Sequence, residues 1–212
     1  MARHIAEKLR ERLNRNVVVE NRAGASGAIA IDAMKSAPTD GSVLMYGTSA
    51  TNVAQVVTRK NPTFDLEKDL TAIALTGTVC VVYAVSATLG VNNIAEYIAW
   101  LKKNPKNPTF GITGGRRASA APDLPTVADL GYPKLTYEGF YGFYGPGKMS
   151  PALVNLWNRE LRAATESPDL KDKLLGLGLE VLTSTPAEMH TRQMNLVTTF
   201  TASMKAAGYT PE

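Results

Sequence analysis

The sequence predicts an α/β protein built on a parallel or mixed sheet flanked by helices. Two observations carry this. The first is an apolar β-branched run, Val17 to Val19, followed by the Gly-rich turn Ala23-Gly24-Ala25-Ser26-Gly27 and an Ala-rich helical stretch, Ala28 to Ala37. After the turn Pro38-Thr39-Asp40-Gly41, a second apolar run, Val43 to Met45, ends in Tyr46-Gly47-Thr48-Ser49. A strand, crossover helix and strand in this order build a sheet whose carboxyl edge carries a polar site. The second observation is the last third of the chain, where Ser-Pro and Thr-Pro pairs mark successive helix starts.

The elements follow in order. Ile5, Leu9 and Leu13 recur at four-residue spacing and predict an amphipathic helix over Ala2 to Arg15. Val17 to Val19 and Val43 to Met45 read as adjacent strands covered on both faces. A right-handed crossover calls for a strand before the first helix. None is written there, so the sheet is expected to have an open edge that a preceding strand or another chain would cover.

Leu70 to Leu75 and Cys80 to Val85 read as two strands separated by Thr76-Gly77-Thr78. Asn93 and Glu96 form a capping box for a helix from Ile94 to Lys103. Thr109 to Thr113 reads as another strand. Ser150-Pro151, Ser167-Pro168 and Thr185-Pro186-Ala187-Glu188 then start three helices, with a short strand expected at Glu180 to Leu182. Met189, Leu196, Phe200 and Met204 mark the inner face of the last helix.

Composition excludes several function classes. The chain has 212 residues, 44% of them apolar, which suffices for a substantial core. No apolar run reaches the ~20 residues of a membrane span. The net charge is +4, with the basic residues scattered and no nucleic-acid-binding motif, so no nucleic-acid partner is expected. One cysteine and two histidines cannot assemble a zinc site, and no other metal and no cofactor is expected. Asp65, Glu67 and Asp69 lack the glycine and terminal glutamate of a calcium loop and read as a solvated acidic turn. The stretch Met1 to Leu9 carries charges of both signs and no apolar core, so the sequence as written predicts no export signal.

Several stretches resemble one family in its own order. Val17 to Gly27 is similar to "VVENRPGAGG", Phe64 to Ala74 to "YDPVKDFTPIA", Pro122 to Gly131 to "PDVPTVAEAG", and Lys205 to Glu212 to "KAAGIKPE". These motifs belong to the solute-binding proteins of tripartite tricarboxylate transporters, the Bug proteins. The resemblance implies a type II periplasmic-binding-protein-like fold of two α/β lobes, with a small carboxylate held between them by amides and hydroxyls and no catalysis. It also implies a periplasmic location and membrane transporter subunits as partners.

The sequence departs from the family pattern twice. The family's opening strand and its "PFPPGGPTD" loop do not precede Ala2. Asn107 to Gly111 resembles the start of the second lobe, whereas Ile112 to Arg117 resembles a strand near its end, which implies a truncated second lobe. Alternatively, Ile112-Thr113-Gly114-Gly115 is a worn Gly/Ser-rich binding loop. The expected organisation is a first lobe over residues 1–83 and 135–212, with 84–134 as the remnant of the second.

The candidate ligand residues sit where a strand gives way to a helix. Gly47, Thr48, Ser49, Thr51 and Asn52 follow a buried run, where small residues expose N–H groups and hydroxyls can donate to a carboxylate. The competing reading is a plain strand-to-helix turn with Ser49 as cap. Phe140 and Tyr141 belong to an aromatic run that resembles a family strand near the cleft, although such rings also serve as core. The Ala23 to Gly27 turn lacks a phosphate-binding fingerprint and reads as structural. Solute capture is the leading function. A remnant with weak or no binding, associating through its open edge, is the alternative; a small α/β hydrolase ranks third because no nucleophile elbow occurs.

Overall fold

The computed structural model describes residues 1–79, 87–104, 126–129, 131–133, 136–177 and 179–211. The chain divides into two compact units, one made of Met1–Val79 with Gly139–Glu212 and the other of Cys80–Glu138. In the first unit the elements are α1 (Ala2–Leu13), α2 (Ala28–Lys35), β1 (Met45–Thr48), α3 (Ser49–Val57), β2 (Leu70–Val79), β3 (Gly139–Pro146), α5 (Pro151–Thr165), α6 (Pro168–Gly176) and α7 (Pro186–Ala206). In the second, α4 (Ile94–Lys103) starts at the expected box: Asn93 Oδ1 accepts the Glu96 N–H at 2.9 Å, and Glu96 accepts from the Asn93 amide at 2.8 Å.

The described sheet has three strands in the order β1-β3-β2, and both pairings are antiparallel. The outer strands β1 and β2 therefore run in the same direction with β3 reversed between them. This corrects the expected side-by-side parallel pairing. Val17 to Val19 belongs to no strand, and Val18 is 80% exposed. An apolar β-branched run favours extended backbone, yet a strand exists only where a neighbour takes up its N–H and C=O groups. Among the described residues β1 has one strand neighbour, so its other side is an edge.

A second correction concerns Thr76-Gly77-Thr78, which does not separate two strands. β2 runs through it to Val79 and absorbs two register shifts against β3, between Ala72 and Ala74 and between Leu75 and Gly77. Bulges of this kind keep a strand paired while adding twist. The Glu180 to Leu182 stretch contributes one bridge, Thr78 to Glu180, rather than a strand. The expected strands at Cys80 to Val85 and Thr109 to Thr113, and the Gly111-Ile112 junction, lie outside the described residues.

Two apolar clusters pack on the sheet. Phe143, Ile73 and Ala74 join Ile5 and Leu9 of α1, Val154, Leu161 and Ala164 of α5, and Leu170 and Leu174 of α6. Phe140, Tyr144, Met45 and Leu75 join Ile31 and Met34 of α2 and Met189 of α7. The alternation along β3 assigns Phe143 to one cluster and Tyr144 to the other, as the two-residue strand period requires. Of the expected inner face of α7, Met189 is fully buried and Leu196 packs partly; Gln193 is the other buried residue of that helix.

Local sequence explains the helix ends. Ser150 and Thr185 accept N–H groups of the first turns of α5 and α7, with Pro151 and Pro186 at positions that need no donor. Inside the core, the Asn158 amide of α5 donates to the carbonyls of Ile73 at 2.7 Å and Ser184 at 2.8 Å. It thereby ties β2 to the segment leading into α7.

Candidate functional site

The carboxyl ends of β1 and β2 and the start of β3 meet at one end of the sheet. The register sets Thr48, Tyr141 and Gly77 in one row, with Phe140 and Thr78 in the next row towards the end. Helix α3 leaves β1 here directly. Thr48, in extended backbone with φ −108° and ψ 147°, is its N-cap. The Thr48 Oγ1 accepts the Thr51 N–H at 3.1 Å and donates to Thr51 Oγ1 at 3.0 Å. The helix thus presents its partly positive end at the polar edge of the sheet.

The predicted residues take different roles around this corner. Thr48, Thr51, Gly47 and Tyr141 are partly exposed. Ser49 is 1% exposed, and its Oγ accepts the Phe140 N–H at 3.0 Å. It is thus the first helical residue, and the cap is Thr48. The Phe140 ring lies in the apolar cluster. Asn52 is also 1% exposed, and its amide packs on Gly47, where a Cβ would come within 3.2 Å of Nδ2. That amide faces the Tyr144 hydroxyl, but neither group closes a well-formed hydrogen bond.

Sequence reasoning missed one part of this corner. It is Tyr46, whose ring lies parallel to that of Tyr141 at a centroid separation of 6.0 Å and an interplanar angle of 5°. Its hydroxyl is 3.4 Å from Thr76 Oγ1, which also donates to the Tyr141 carbonyl at 3.4 Å. Burial pushes the Tyr46 hydroxyl above the ordinary tyrosine range, so it is a neutral donor at any physiological pH. The alternation of Tyr46 with Thr48 and of Tyr141 with Phe143 was the available signal, since the residues of one strand face repeat every two positions.

The Gly-rich turn, read from the sequence as structural, is a brace that abuts the corner. Four successive residues, Gly24 to Gly27, have positive φ, at 131°, 46°, 54° and 95°. The Gln55 amide of α3 holds the turn by donating to the Ala25 and Ser26 carbonyls, both at 3.1 Å. Gly27 is required by contact as well as by φ, because a Cβ there would lie 2.3 Å from the Thr51 methyl.

The acidic turn lies elsewhere. The Lys68 ammonium holds the Asp65 carboxyl below the usual range, together with the N–H groups of Glu67 and Lys68 that Asp65 Oδ1 accepts. With Val56, Phe64, Met194 and Val197 this turn lines an open groove of about 500 Å³ beside the far end of α3. Among the described residues no His, Cys, Asp and Glu cluster could hold a metal, and no helix is long and apolar enough to cross a membrane.

The fold is that of several solved structures, among them a periplasmic binding protein. Rpa4515 of R. palustris with adipate superposes with a TM-score of 0.82 at 19% identity, covering 100% of this chain and 93% of that one. MatC of Rhodopseudomonas palustris with bound malate gives 0.79 at 17%, covering 95% and 92%. The periplasmic binding protein BugD gives 0.73 at 21%, covering 98% and 92%.

The model of the tripartite tricarboxylate transporter family receptor matches residues 1–116, and the chain belongs to that family. It is a family of substrate-binding receptors, not of enzymes. A UPF0065 protein of Bordetella bronchiseptica is 41% identical over 102 residues, 48% of this chain and 30% of that protein. BugT of Bordetella pertussis is 22% identical over a gapped alignment of 253 positions that covers 88% of this chain and 78% of BugT. The match to the first of these relatives thus spans less than a third of its length.

Proposed function

We propose that this chain captures a small carboxylate as the receptor of a tripartite uptake system, in the periplasm, and hands it to membrane subunits without chemical change. The observation that carries this reading is the Thr48 corner. There the first turn of an α-helix, a hydroxyl N-cap and the end of a strand converge on partly exposed surface in a chain of this family. Neutral N–H and O–H donors at a helix start suit a carboxylate without requiring a cationic partner. The ligand set is Gly47, Thr48, Thr51 and Tyr141, supported from below by Ser49, Asn52 and Phe140. In this reading residues 1–83 with 135–212 form the first lobe, and 84–134 form a shortened second lobe.

Titration calorimetry of the folded chain with succinate, malate, adipate and citrate tests the proposal. Saturable heat with any of them, reduced in the Thr48→Ala variant, supports it. A folded chain that binds none of the four would instead be a remnant that has kept the family fold and lost its ligand.

A further inference from the structure

Helices α3 and α7 meet over a pair of glycines. Gly47 of β1 and Gly142 of β3 are directly paired, so Cβ atoms on the two would stand roughly 5 Å apart on one face of the sheet. The Asn52 amide of α3 holds that space at Gly47, and the Met189 methyl of α7 holds it at Gly142. Tyr144, two residues beyond Gly142, projects from the same face.

The course of α7 brings one more polar side chain here. Just before the helix, Ser184 accepts the N–H of Leu75, the partner of Gly142. Further on, Met194 and Val197 line the groove of the segment that leads to Leu70, the partner of Pro146. The helix therefore travels past the Tyr144 row. Gln193, one turn after Met189 on its buried face, is the residue it carries there.

Asn52 Nδ2, the Tyr144 hydroxyl and Gln193 Oε1 are all buried with no hydrogen-bond partner among the described residues. Their residues are no more than 1% exposed. Each such group costs stability while nothing bonds it, so three at one helix crossing call for a shared partner. Their chemistry is complementary: the amide N–H donates, the Gln193 oxygen accepts, and a tyrosine hydroxyl does either. Burial pushes the Tyr144 hydroxyl above the ordinary tyrosine range, so it keeps its proton.

We propose that one internal water molecule joins Asn52, Tyr144 and Gln193 and thereby ties α3, β3 and α7 together. The water accepts from the Asn52 amide, donates to Gln193 Oε1 and makes its third bond to the Tyr144 hydroxyl, the usual number for a buried water. The Asn52 amide faces that hydroxyl without closing a bond, which leaves both open to a third partner. This site is independent of whatever the Thr48 corner binds.

A high-resolution crystal structure of the full chain tests it, and should show an ordered water within hydrogen-bond distance of all three atoms. In solution the Asn52 side-chain amide should give a nuclear Overhauser cross-peak to water with the sign of a long-lived contact. Gln193→Met keeps the side-chain length, removes the acceptor and should abolish that cross-peak. A direct Asn52–Tyr144–Gln193 chain of hydrogen bonds with no water between them overturns the proposal. So does a cross-peak unchanged in a folded Gln193→Met variant. If that variant does not fold, the crystal structure of the unmodified chain decides alone.

Discussion

The Ser49 hydroxyl oxygen accepts the backbone N–H of Phe140 at 3.0 Å, joining residues 91 positions apart in sequence within the buried interior. The bond fixes the first turn of α3 to the start of β3, and so sets the geometry of the Thr48 corner. Replacing Ser49 with Ala leaves a buried N–H without this acceptor. The Ser49→Ala variant should lose about 1–3 kcal/mol of unfolding free energy in urea titration. A change of only a few tenths would show that the Phe140 amide has found another acceptor.

Thr48 is expected to matter twice. As N-cap its hydroxyl satisfies the Thr51 N–H, so Thr48→Ala should cost about 0.5–2 kcal/mol of stability. The same change should weaken carboxylate binding by about 1.5 kcal/mol or more, the usual worth of a hydrogen bond to a charged group. Thr48→Ser should keep both. Paired denaturation and calorimetry separate the two effects, and a Thr48→Ala variant of unchanged affinity would remove this hydroxyl from the ligand set.

Asn158 supplies one amide to two carbonyls that otherwise face the core. Asn158→Ala should destabilise the first unit by about 2–3 kcal/mol. Asn158→Asp at neutral pH should cost at least as much, because a carboxylate cannot donate to either carbonyl. Thermal unfolding followed by circular dichroism checks the order of the three proteins. An aspartate variant as stable as the parent would rule out the clamp.

The capping box of α7 gives a pH dependence of definite sign. Hydrogen bonds from the Thr185 N–H and then its hydroxyl hold the Glu188 carboxyl below the ordinary glutamate value. A carboxyl lowered on folding contributes stability that is fully present above its unfolded value, about 4.3. That contribution is lost as pH falls through the lower folded value. Glu188→Gln should therefore flatten this part of the acid limb of a stability–pH curve while changing little of its shape above pH ~6. An acid limb identical to the parent's would contradict the assignment.

Features set by neighbours in sequence were the ones legible in it. Ser150-Pro151, Thr185-Pro186 and the Asn93–Glu96 pair each contain donor and acceptor within four residues, and all three start helices as expected. The four-residue spacing of Ile5 and Leu9 is likewise local, and both are buried. Features that depend on a distant partner were not legible. Val17 to Val19 has strand composition, but whether it joins a sheet depends on a neighbour that the run itself does not encode. Continuity of β2 through Gly77 depends on β3, which lies some sixty residues onward. At the site, the strand-to-helix change at Gly47 to Asn52 was visible. The division of labour between a partly exposed Thr48 and a buried Ser49 was not, because it is set by the Phe140 amide arriving from far along the chain.

The last residue of β2, Val79, is paired with the first residue of β3, Gly139. In the wiring of the first unit, everything between them is therefore the loop of one very long β-hairpin. The free energy of closing a loop rises only logarithmically with its length, about 0.6 kcal/mol for each doubling. A change in the length of that excursion thus costs the body it leaves and rejoins little closure free energy. The corner at Thr48 takes its hydrogen bonds from β1, α3 and β3 of the first unit, so its geometry is set within that body.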